Sequence, residues 1–219
     1  MRIEALGDQA VLAYCDGEQA AFAFADHCRE LPWAIDVVQA YTSVAVYYDL
    51  GRTSFDSAAS ELASLAQPHA AAEAAPGRMH VVPCCYELGP DLPRVAEQTG
   101  LSVEEVISQH AGTVYTVYAI GFCPGFPYLG YLPQALTGVP RLASPRLHVE
   151  AGSVGLTGRQ TGIYTEQRPG GWNIVGRTPL ELVNVADGYF PLRAGDRIRF
   201  RRIDSSEFGR LKGNRLTSV

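Results

Sequence analysis

The sequence predicts an α+β protein of two parts, with a βαββαβ half over residues 1–80 and a β-rich half over residues 81–219. Apolar runs of strand length alternate with helical stretches as far as residue 86. Beyond residue 113, short β runs are broken repeatedly by glycine and proline. With 22 glycines and 14 prolines among 219 residues, the chain has too many turn formers for a purely helical bundle.

The hydrophobic pattern predicts the first half element by element. Short apolar runs predict strands, and Ala-rich stretches with helical spacing predict helices. In chain order these are a strand at Gln9–Tyr14, a helix at Glu18–Glu30, paired strands at Ile35–Tyr41 and Ser43–Asp49, a helix at Ser54–Ala66 and, after an Ala/Pro-rich connector at Gln67–Gly77, a strand at Met79–Tyr86. This order of elements is that of a ferredoxin-like domain, in which helices cover one face of an antiparallel sheet.

Two helices are predicted to lead into the second half. They lie at Asp91–Thr99 and Val103–His110, and the second begins with Ser102 and Glu105 in the spacing of a capping box. The number of short strands that follow and their frequent turns predict a small β barrel or sandwich. The predicted strands are Val114–Ile120, Leu147–Val149, Gly162–Tyr164, Trp172–Val175, Leu180–Val185 and Arg197–Ile203.

Charge and composition exclude several classes of function. A net charge of −5 argues against a nucleic-acid partner. Residues 1–110 carry 5 basic and 16 acidic side chains, whereas residues 111–219 carry 13 and 7, so the second half either holds an anion or exposes its arginines to water. No apolar run approaches the roughly 20 residues of a membrane span, and the N-terminus does not resemble a signal peptide, so we expect a cytoplasmic protein. Five cysteines without a CxxC pair or a Cys/His array indicate neither a disulfide framework nor a structural metal site.

The segment Gly121–Pro133 (GFCPGFPYLGYLP) is stiff and aromatic. Proline fixes φ and glycine allows close approach of the backbone, so the segment is suited to form a rigid pocket wall or a docking surface. Alternatively, its aromatic side chains simply fill a small satellite core. The candidate wall or interface residues are Phe122, Pro124, Gly125, Phe126 and Tyr128.

The segment Ala151–Pro179 repeats glycine among small polar residues. Turns of this kind can present backbone N–H groups to an anion. The spacing fits neither a Walker A loop nor a dinucleotide-binding fingerprint. Phosphate binding here would therefore depend on backbone amides and on Arg159, Arg168 and Arg177, unless these arginines only face solvent.

Taken together, the two segments resemble the family that includes the B-type subunit of 5-oxoprolinase, allophanate hydrolase subunit 1 and the Kip-type inhibitor of a sporulation histidine kinase. The resemblance rests on an ordered set of motifs over residues 110–179. These are His110, Tyr115, GF-x-PGFPYLG at 121–130, PR at 145–146, AGSVG at 151–155, QTGIY at 160–164, PGGW at 169–172 and GRTP at 176–179. Glu150 and Thr165 depart from the pattern, since many relatives have proline at these positions.

The resemblance implies a cyclophilin-like β barrel behind the ferredoxin-like domain, and ATP-dependent conversion of 5-oxo-L-proline to L-glutamate. ATP and a divalent cation, expected to be Mg²⁺, would be held by this chain or by a complex with a companion subunit, which would resemble allophanate hydrolase subunit 2 or the C-type subunit of 5-oxoprolinase. The substrate would be a small acid, with neither nucleic acid nor a membrane as partner. The alternatives are a carboxyltransferase-type subunit 1 of allophanate hydrolase or urea carboxylase, and a non-catalytic inhibitor of a sensor histidine kinase.

Individual roles follow from the resemblance and from side-chain chemistry. His110, His148 and Arg177 are candidate catalytic residues, with imidazoles for proton transfer and a guanidinium for negative charge. The candidate substrate- and ATP-binding residues are Arg146, Gln160, Thr161, Gly162, Tyr164, Gly170, Gly171 and Trp172. The sequence does not distinguish Arg141, Arg146 and Arg177 as partners for a substrate carboxylate.

Overall fold

The structure is a computed structural model and describes residues 1–65 and 77–217. Its contacts separate two units, Met1–Pro76 and Gly77–Val219. The connector predicted at Gln67–Gly77 lies outside the described residues, apart from Gly77.

The first unit is a four-stranded antiparallel sheet packed against two helices. Its strands are β1 (Arg2–Ala5), β2 (Ala10–Tyr14), β3 (Ala34–Ala40) and β4 (Ser43–Tyr48), and its helices are α1 (Glu18–Arg29) and α2 (Phe55–Leu65). The strands lie in the order β1-β2-β4-β3. Val11, Val44 and Val46 of the sheet pack with Phe24 of α1 and Leu62 of α2 in the core. All predicted elements of this unit are present, and β1 is an additional strand.

The second unit contains nine strands and three helices among its described residues. They are β5 (Met79–Cys85), α3 (Leu92–Thr99), α4 (Val103–Gly112), β6 (Val114–Ile120), β7 (Pro127–Gly130), β8 (Arg146–Val149), β9 (Ser153–Thr157), β10 (Gln160–Ile163), β11 (Arg168–Gly170), β12 (Asn173–Arg177), β13 (Arg197–Ile203) and α5 (Ser205–Leu211). Short 3₁₀ turns lie at Tyr86–Leu88 and Gln134–Leu136.

Seven of these strands form a closed barrel. They lie in the order β6-β13-β5-β12-β9-β10-β7, and β7 pairs with β6 to complete the circle. β8 and β11 form a separate two-stranded sheet. The largest fully buried side chains of the barrel core include Tyr115, Leu129, Leu156, Ile198 and Phe200. The barrel expected in the second half is thus present.

Helix α4 begins at the predicted capping box. The Ser102 hydroxyl accepts a hydrogen bond from the Glu105 backbone N–H (3.2 Å), and the Glu105 carboxylate accepts one from the Ser102 backbone N–H (2.8 Å). This reciprocal pair satisfies N–H groups that have no partner within the helix. The capping prediction is confirmed, and α4 packs against α3 and β13.

The ferredoxin-like arrangement of the first unit is not confirmed. The strand expected to complete it, β5, instead pairs with β13 and β12 in the barrel. Its sequence MHVVPCC is buried along almost its whole length, and such a strand needs cover on both faces, which a barrel supplies. The place beside β2 is taken by β1. The division at residue 80 falls within β5.

The strand predicted at Leu180–Val185 is wrong. This segment forms only single bridges, at Glu181 and Asn184. Local hydrogen bonds replace the ladder, since the Asn184 side chain donates to Glu181 (2.9 Å) and accepts from the Ala186 backbone (3.1 Å). Conversely, the glycine-containing strands β7, β9 and β11 were not predicted, because glycine lowers strand propensity.

Candidate active site

A cavity of about 330 Å³ lies in the second unit. This volume is at the lower end of the range of about 300–1,000 Å³ found for small-molecule sites. The lining residues are Phe122, Phe126, Tyr128, Arg141, Pro145, Tyr164, Pro169, Gly170, Gly171 and Trp172. The two segments that the sequence singled out therefore meet at one cavity of a size suited to a small ligand.

Aromatic rings in edge-to-face contact form the wall of the cavity. The Phe126 ring lies 5.3 Å from that of Tyr164 at 86°, and 5.6 Å from that of Trp172 at 88°. Such T-shaped pairs are favourable because the positive edge of one ring meets the negative face of the other. Cys123 and Ile174 pack with these rings in a small core of their own. The aromatic residues thus serve both as a satellite core and as a cavity wall.

Two glycines permit this close packing. A Cβ atom on Gly170 would lie 2.2 Å from the Tyr164 hydroxyl oxygen, and a Cβ on Gly162 would lie 2.9 Å from the Phe126 ring. A larger residue at position 170 would have to displace the Tyr164 side chain, and one at position 162 would clash with both the Phe126 ring and the Pro127 carbonyl oxygen at 2.8 Å.

Phe122 is held in an uncommon backbone conformation. Its φ is +66°, and the Cys123 N–H donates to the Gly121 carbonyl at 2.7 Å, which makes a γ-turn of the rarer form. The ring is 58% exposed and lies edge-on to Tyr164 at 6.1 Å. Strained turns of this kind cluster at ligand sites, and the turn places an exposed aromatic ring in the cavity lining.

Arg141 supplies a positive charge to the cavity. Its guanidinium has no hydrogen-bond or ion-pair partner among residues 1–65 and 77–217. Burial raises the pKa of the Tyr128 and Tyr164 hydroxyls, and the charge of Arg141 opposes this rise. At neutral pH the cavity therefore combines an unpaired cation with neutral phenols, an arrangement that suits a small anion.

The other two candidate arginines are engaged elsewhere. Arg146 donates to the Asp91 carboxylate at 2.6 Å. Arg177 donates to the Ala151 carbonyl at 2.9 Å and to the Glu150 carboxylate at 3.3 Å. Neither lines the cavity. The sequence could not predict these ion pairs, because both Asp91 and Glu150 lie far along the chain from the arginines that they bind.

His110 lies in the barrel core with no exposed surface. The Tyr86 hydroxyl donates to its Nδ1 (2.7 Å), and its Nε2 donates to the Thr161 hydroxyl (2.9 Å), which in turn donates to the Gly155 carbonyl (2.9 Å). The ring stacks on Phe200 at 4.7 Å. Burial lowers the pKa of His110 to about 3, so the imidazole is neutral and fully hydrogen-bonded. This geometry favours a structural role for His110 and Thr161.

The remaining candidates lie outside the cavity lining. His148 is exposed on β8 and accepts a hydrogen bond from the Gln167 side chain (3.0 Å), while Gln160 is half-buried on β10. The Pro124 carbonyl accepts a hydrogen bond from the Thr165 hydroxyl (2.7 Å). Gly125 approaches a neighbouring loop so closely that a Cβ would lie 2.1 Å from the side chain of Val183.

Sequence reasoning missed one lining residue and left another undecided. Pro145 was not named as part of the site, although it belongs to the PR motif. Arg141 was one of three arginines considered for a substrate carboxylate. Only the folded chain distinguishes it from Arg146 and Arg177, because its position in the cavity and its lack of a partner among the described residues are properties of the fold.

Comparison with known proteins identifies the family. Residues 1–189 match the carboxyltransferase domain family, subdomains C and D. The chain belongs to this family. A curated relative from Bacillus subtilis (strain 168), named as the B-type subunit of 5-oxoprolinase, is 37% identical over 94% of this chain and 95% of its own length. A relative of the same name from Escherichia coli O157:H7 is 51% identical over 51% of each chain.

Three solved structures share the fold of this chain. TTHA0988 is 35% identical and has a TM-score of 0.77, and the match covers 90% of this chain but only 40% of that longer one. PH0987 from Pyrococcus horikoshii is 36% identical with a TM-score of 0.55, over 94% of this chain and 100% of that one. The Kluyveromyces lactis urea amidolyase is 14% identical with a TM-score of 0.73, over 99% of this chain and 16% of that one, which indicates a shared fold alone.

Two further findings concern the described part of the chain. None of its helices is both long and apolar enough to cross a membrane. Residues 1–65 and 77–217 also contain no cluster of three or more His, Cys, Asp or Glu side chains placed to hold a metal ion.

Proposed function

We propose that this chain is the B-type subunit of an ATP-dependent 5-oxoprolinase, which converts 5-oxo-L-proline to L-glutamate together with a companion subunit. The observation that carries the proposal is a small aromatic cavity that contains one unpaired arginine, Arg141. Support also comes from the B. subtilis relative, which is named as that subunit and aligns over nearly the full length of both chains.

The chemistry of 5-oxoproline fits the cavity. The molecule is a five-membered lactam ring that carries one carboxylate. The ring is small enough for a volume of about 330 Å³ and would pack against Phe126 and Trp172. The carboxylate would accept two parallel hydrogen bonds from the Arg141 guanidinium, a geometry that arginine favours. The neutral Tyr128 and Tyr164 hydroxyls would remain hydrogen-bond donors for the lactam.

Lactam opening needs activation, because the amide carbon is a poor electrophile. Phosphorylation of the amide oxygen by ATP would release ADP and open that carbon to attack by water. The ring C–N bond then breaks as its nitrogen takes up a proton, which leaves an acyl phosphate. A second water hydrolyses the acyl phosphate to the carboxylate and free phosphate. In this proposal the present chain binds and orients the ring and excludes bulk water from it. ATP and the divalent cation would be bound by the assembled complex.

Of the two histidines considered for proton transfer, only His148 is exposed to solvent, and we retain it as the candidate. Arg177 is held by Glu150 and the Ala151 carbonyl, an arrangement that suits fixing a turn rather than meeting a substrate. The companion subunit and the cytoplasmic location stay predictions.

The test is a reconstituted assay of this chain with its companion subunits, in which ADP and glutamate release are followed after addition of 5-oxoproline. Each subunit is omitted in turn. We expect turnover only when this chain is present. Turnover without it contradicts the proposal, and activity that depends on a biotinylated carrier would favour the carboxyltransferase alternative.

Substitution of Arg141 by alanine tests the role of the cavity. Loss of a charge-assisted pair of about 1.5–3 kcal/mol is expected to raise KM for 5-oxoproline by about 10- to 100-fold. The matched control is Arg199→Ala, because Arg199 is exposed on β13 and its side chain has no partner among the described residues. Equal KM values in the two variants would place substrate binding elsewhere.

A further inference from the structure

A fully buried side-chain amide follows the cavity wall in the chain. Asn173 comes directly after Trp172, at the start of β12, and has no exposed surface. Its Nδ2 donates to the Pro140 carbonyl (2.9 Å) and to the Leu156 carbonyl (3.1 Å), and its Oδ1 accepts from Arg94 Nε (3.0 Å). Two acceptors on one side and a cation on the other fix the orientation of the amide.

These hydrogen bonds act on the loop that carries Arg141. The carbonyl of Pro140, the preceding residue, accepts from Asn173. On the other side, the Leu142 N–H donates to the Gly171 carbonyl at 2.8 Å. Both neighbours of Arg141 are thus bonded to the segment 171–173, which also contributes Gly171 and Trp172 to the cavity wall. The cation and the aromatic wall share one hydrogen-bonded frame, defined here as residues 140–142 and 171–173.

Helix α3 anchors this frame. Arg94 of α3 bonds to Asn173. Asp91, which precedes α3 and is buried, accepts from the Ile174 N–H (2.7 Å) and from Arg146 (2.6 Å). Of the two bonds that the Asn173 amide donates, the one to Leu156 joins strand to strand within the barrel. The bond to Pro140 instead joins the barrel to the Arg141 loop.

We infer that Asn173 is a positioning residue for Arg141, and that it influences substrate binding only through that arginine. The inference rests on the proposed function, because it assigns Arg141 to the substrate carboxylate. Without the amide, the Pro140 carbonyl loses its partner and the loop gains freedom, so the guanidinium spends less time at the carboxylate position. KM for 5-oxoproline then rises, while kcat at saturation changes less.

A double-mutant cycle in the assembled enzyme tests the inference. Asn173→Ala alone is expected to raise KM for 5-oxoproline by about tenfold. In the Arg141→Ala background, the same change is expected to add less than about twofold, since residues that act through one contact are not additive. Additive losses, or an unchanged KM in the single variant, would overturn the inference.

Amide hydrogen exchange on the full chain gives a second readout that does not depend on turnover. Asn173→Ala is expected to speed exchange in peptides covering residues 140–146 and to leave α4 unchanged. The control is Asn184→Ala, which removes side-chain hydrogen bonds outside the frame. Unchanged exchange at 140–146 contradicts the positioning role. If exchange at 140–146 is faster in Asn173→Ala but the wild-type complex does not turn over 5-oxoproline, the proposed function is wrong. The role of Asn173 in holding residues 140–142 would still be supported.

Faster exchange in α4 as well would mean that Asn173→Ala has unfolded the unit. In that case Arg94→Ala takes its place in the cycle, because it removes the guanidinium that orients the amide but keeps the amide itself. Arg94→Ala alone is then expected to raise KM by about two- to fivefold. In the Arg141→Ala background, Arg94→Ala is expected to cause no further rise in KM. A rise that persists in that background contradicts the inference.

Discussion

His110 is neutral because both ring nitrogens are bonded inside an apolar core. A charged imidazole there would lose hydration without gaining a carboxylate partner, and burial accordingly lowers its pKa to about 3. The unfolded chain, in which the pKa returns to about 6.5, binds a proton more readily. The folded state is therefore favoured by His110 above pH 6.5, and this contribution is lost as the pH falls from 6.5 towards 3.

Substitution of His110 by phenylalanine is expected to lower the free energy of unfolding at pH 7 by about 1–3 kcal/mol, since Tyr86 and Thr161 lose their partner. The deficit should shrink by about 2 kcal/mol between pH 7 and pH 5, because only the wild type loses the His110 contribution. Urea unfolding at the two pH values measures this. His148→Gln, at an exposed site, is the control and should keep the wild-type slope. If the free energy of unfolding of the His110 variant changed between pH 7 and pH 5 as much as that of the wild type, another group would be responsible for the pH dependence.

Among the elements, the short strand β11 is important for the cavity, because two of its three residues, Pro169 and Gly170, line it. It has three residues and pairs irregularly with β8, and Gly170 lets the Tyr164 hydroxyl lie directly against the strand. The next residue, Gly171, has room for a Cβ, which would make ordinary van der Waals contact with Pro145 at 3.6 Å.

Alanine at Gly170 is therefore expected to displace Tyr164 and to lower the free energy of unfolding by about 1–3 kcal/mol. Alanine at Gly171 makes the same chemical change without the clash, and its effect should be within about 0.5 kcal/mol. Thermal unfolding of the two variants provides the comparison. Equal losses would show that backbone freedom, rather than contact with Tyr164, requires glycine at position 170.

The elements also show what local sequence can predict. β6 alternates buried residues with less buried ones, and β13 does so as far as Arg201, so the pattern was sufficient to predict both strands. β9 is buried at all five positions and contains Gly155, whose Cβ would lie 3.1 Å from Trp172, so its identity as a strand depends on a neighbour far along the chain. The cavity wall could be predicted from its aromatic and glycine motifs. Arg141 could not, because its distinction from Arg146 depends on the contact with Asp91.

At the scale of the whole molecule, β5 is the first strand of the second unit, which begins at Gly77. It lies between β13 and β12 in the barrel. At its start, the buried His80 bonds to Asp196 at 3.1 Å, and the Arg78 N–H donates to the same carboxylate at 2.9 Å. A barrel without β5 would expose the edges of both neighbouring strands.

A fragment from Gly77 to Val219 is accordingly expected to fold alone, because it contains its own core and all seven barrel strands. A fragment that begins at Glu87 lacks β5 and is expected not to fold. Cooperative thermal unfolding, followed by near-ultraviolet circular dichroism, distinguishes the two. A folded fragment from Glu87 would show that β5 is dispensable for the barrel.

The pairing of β5 with β13 also has a consequence during translation. These are the first and last strands of the barrel, and they lie parallel with Met79 opposite Arg197 and Cys85 opposite Ile203. At synthesis rates of about 5–20 residues per second, β5 waits on the order of ten seconds for its neighbour to be made. Until β12 is made, this apolar strand has neither of its barrel neighbours, and it lacks its main partner β13 for the whole interval. We expect it to be the segment that nascent-chain chaperones bind.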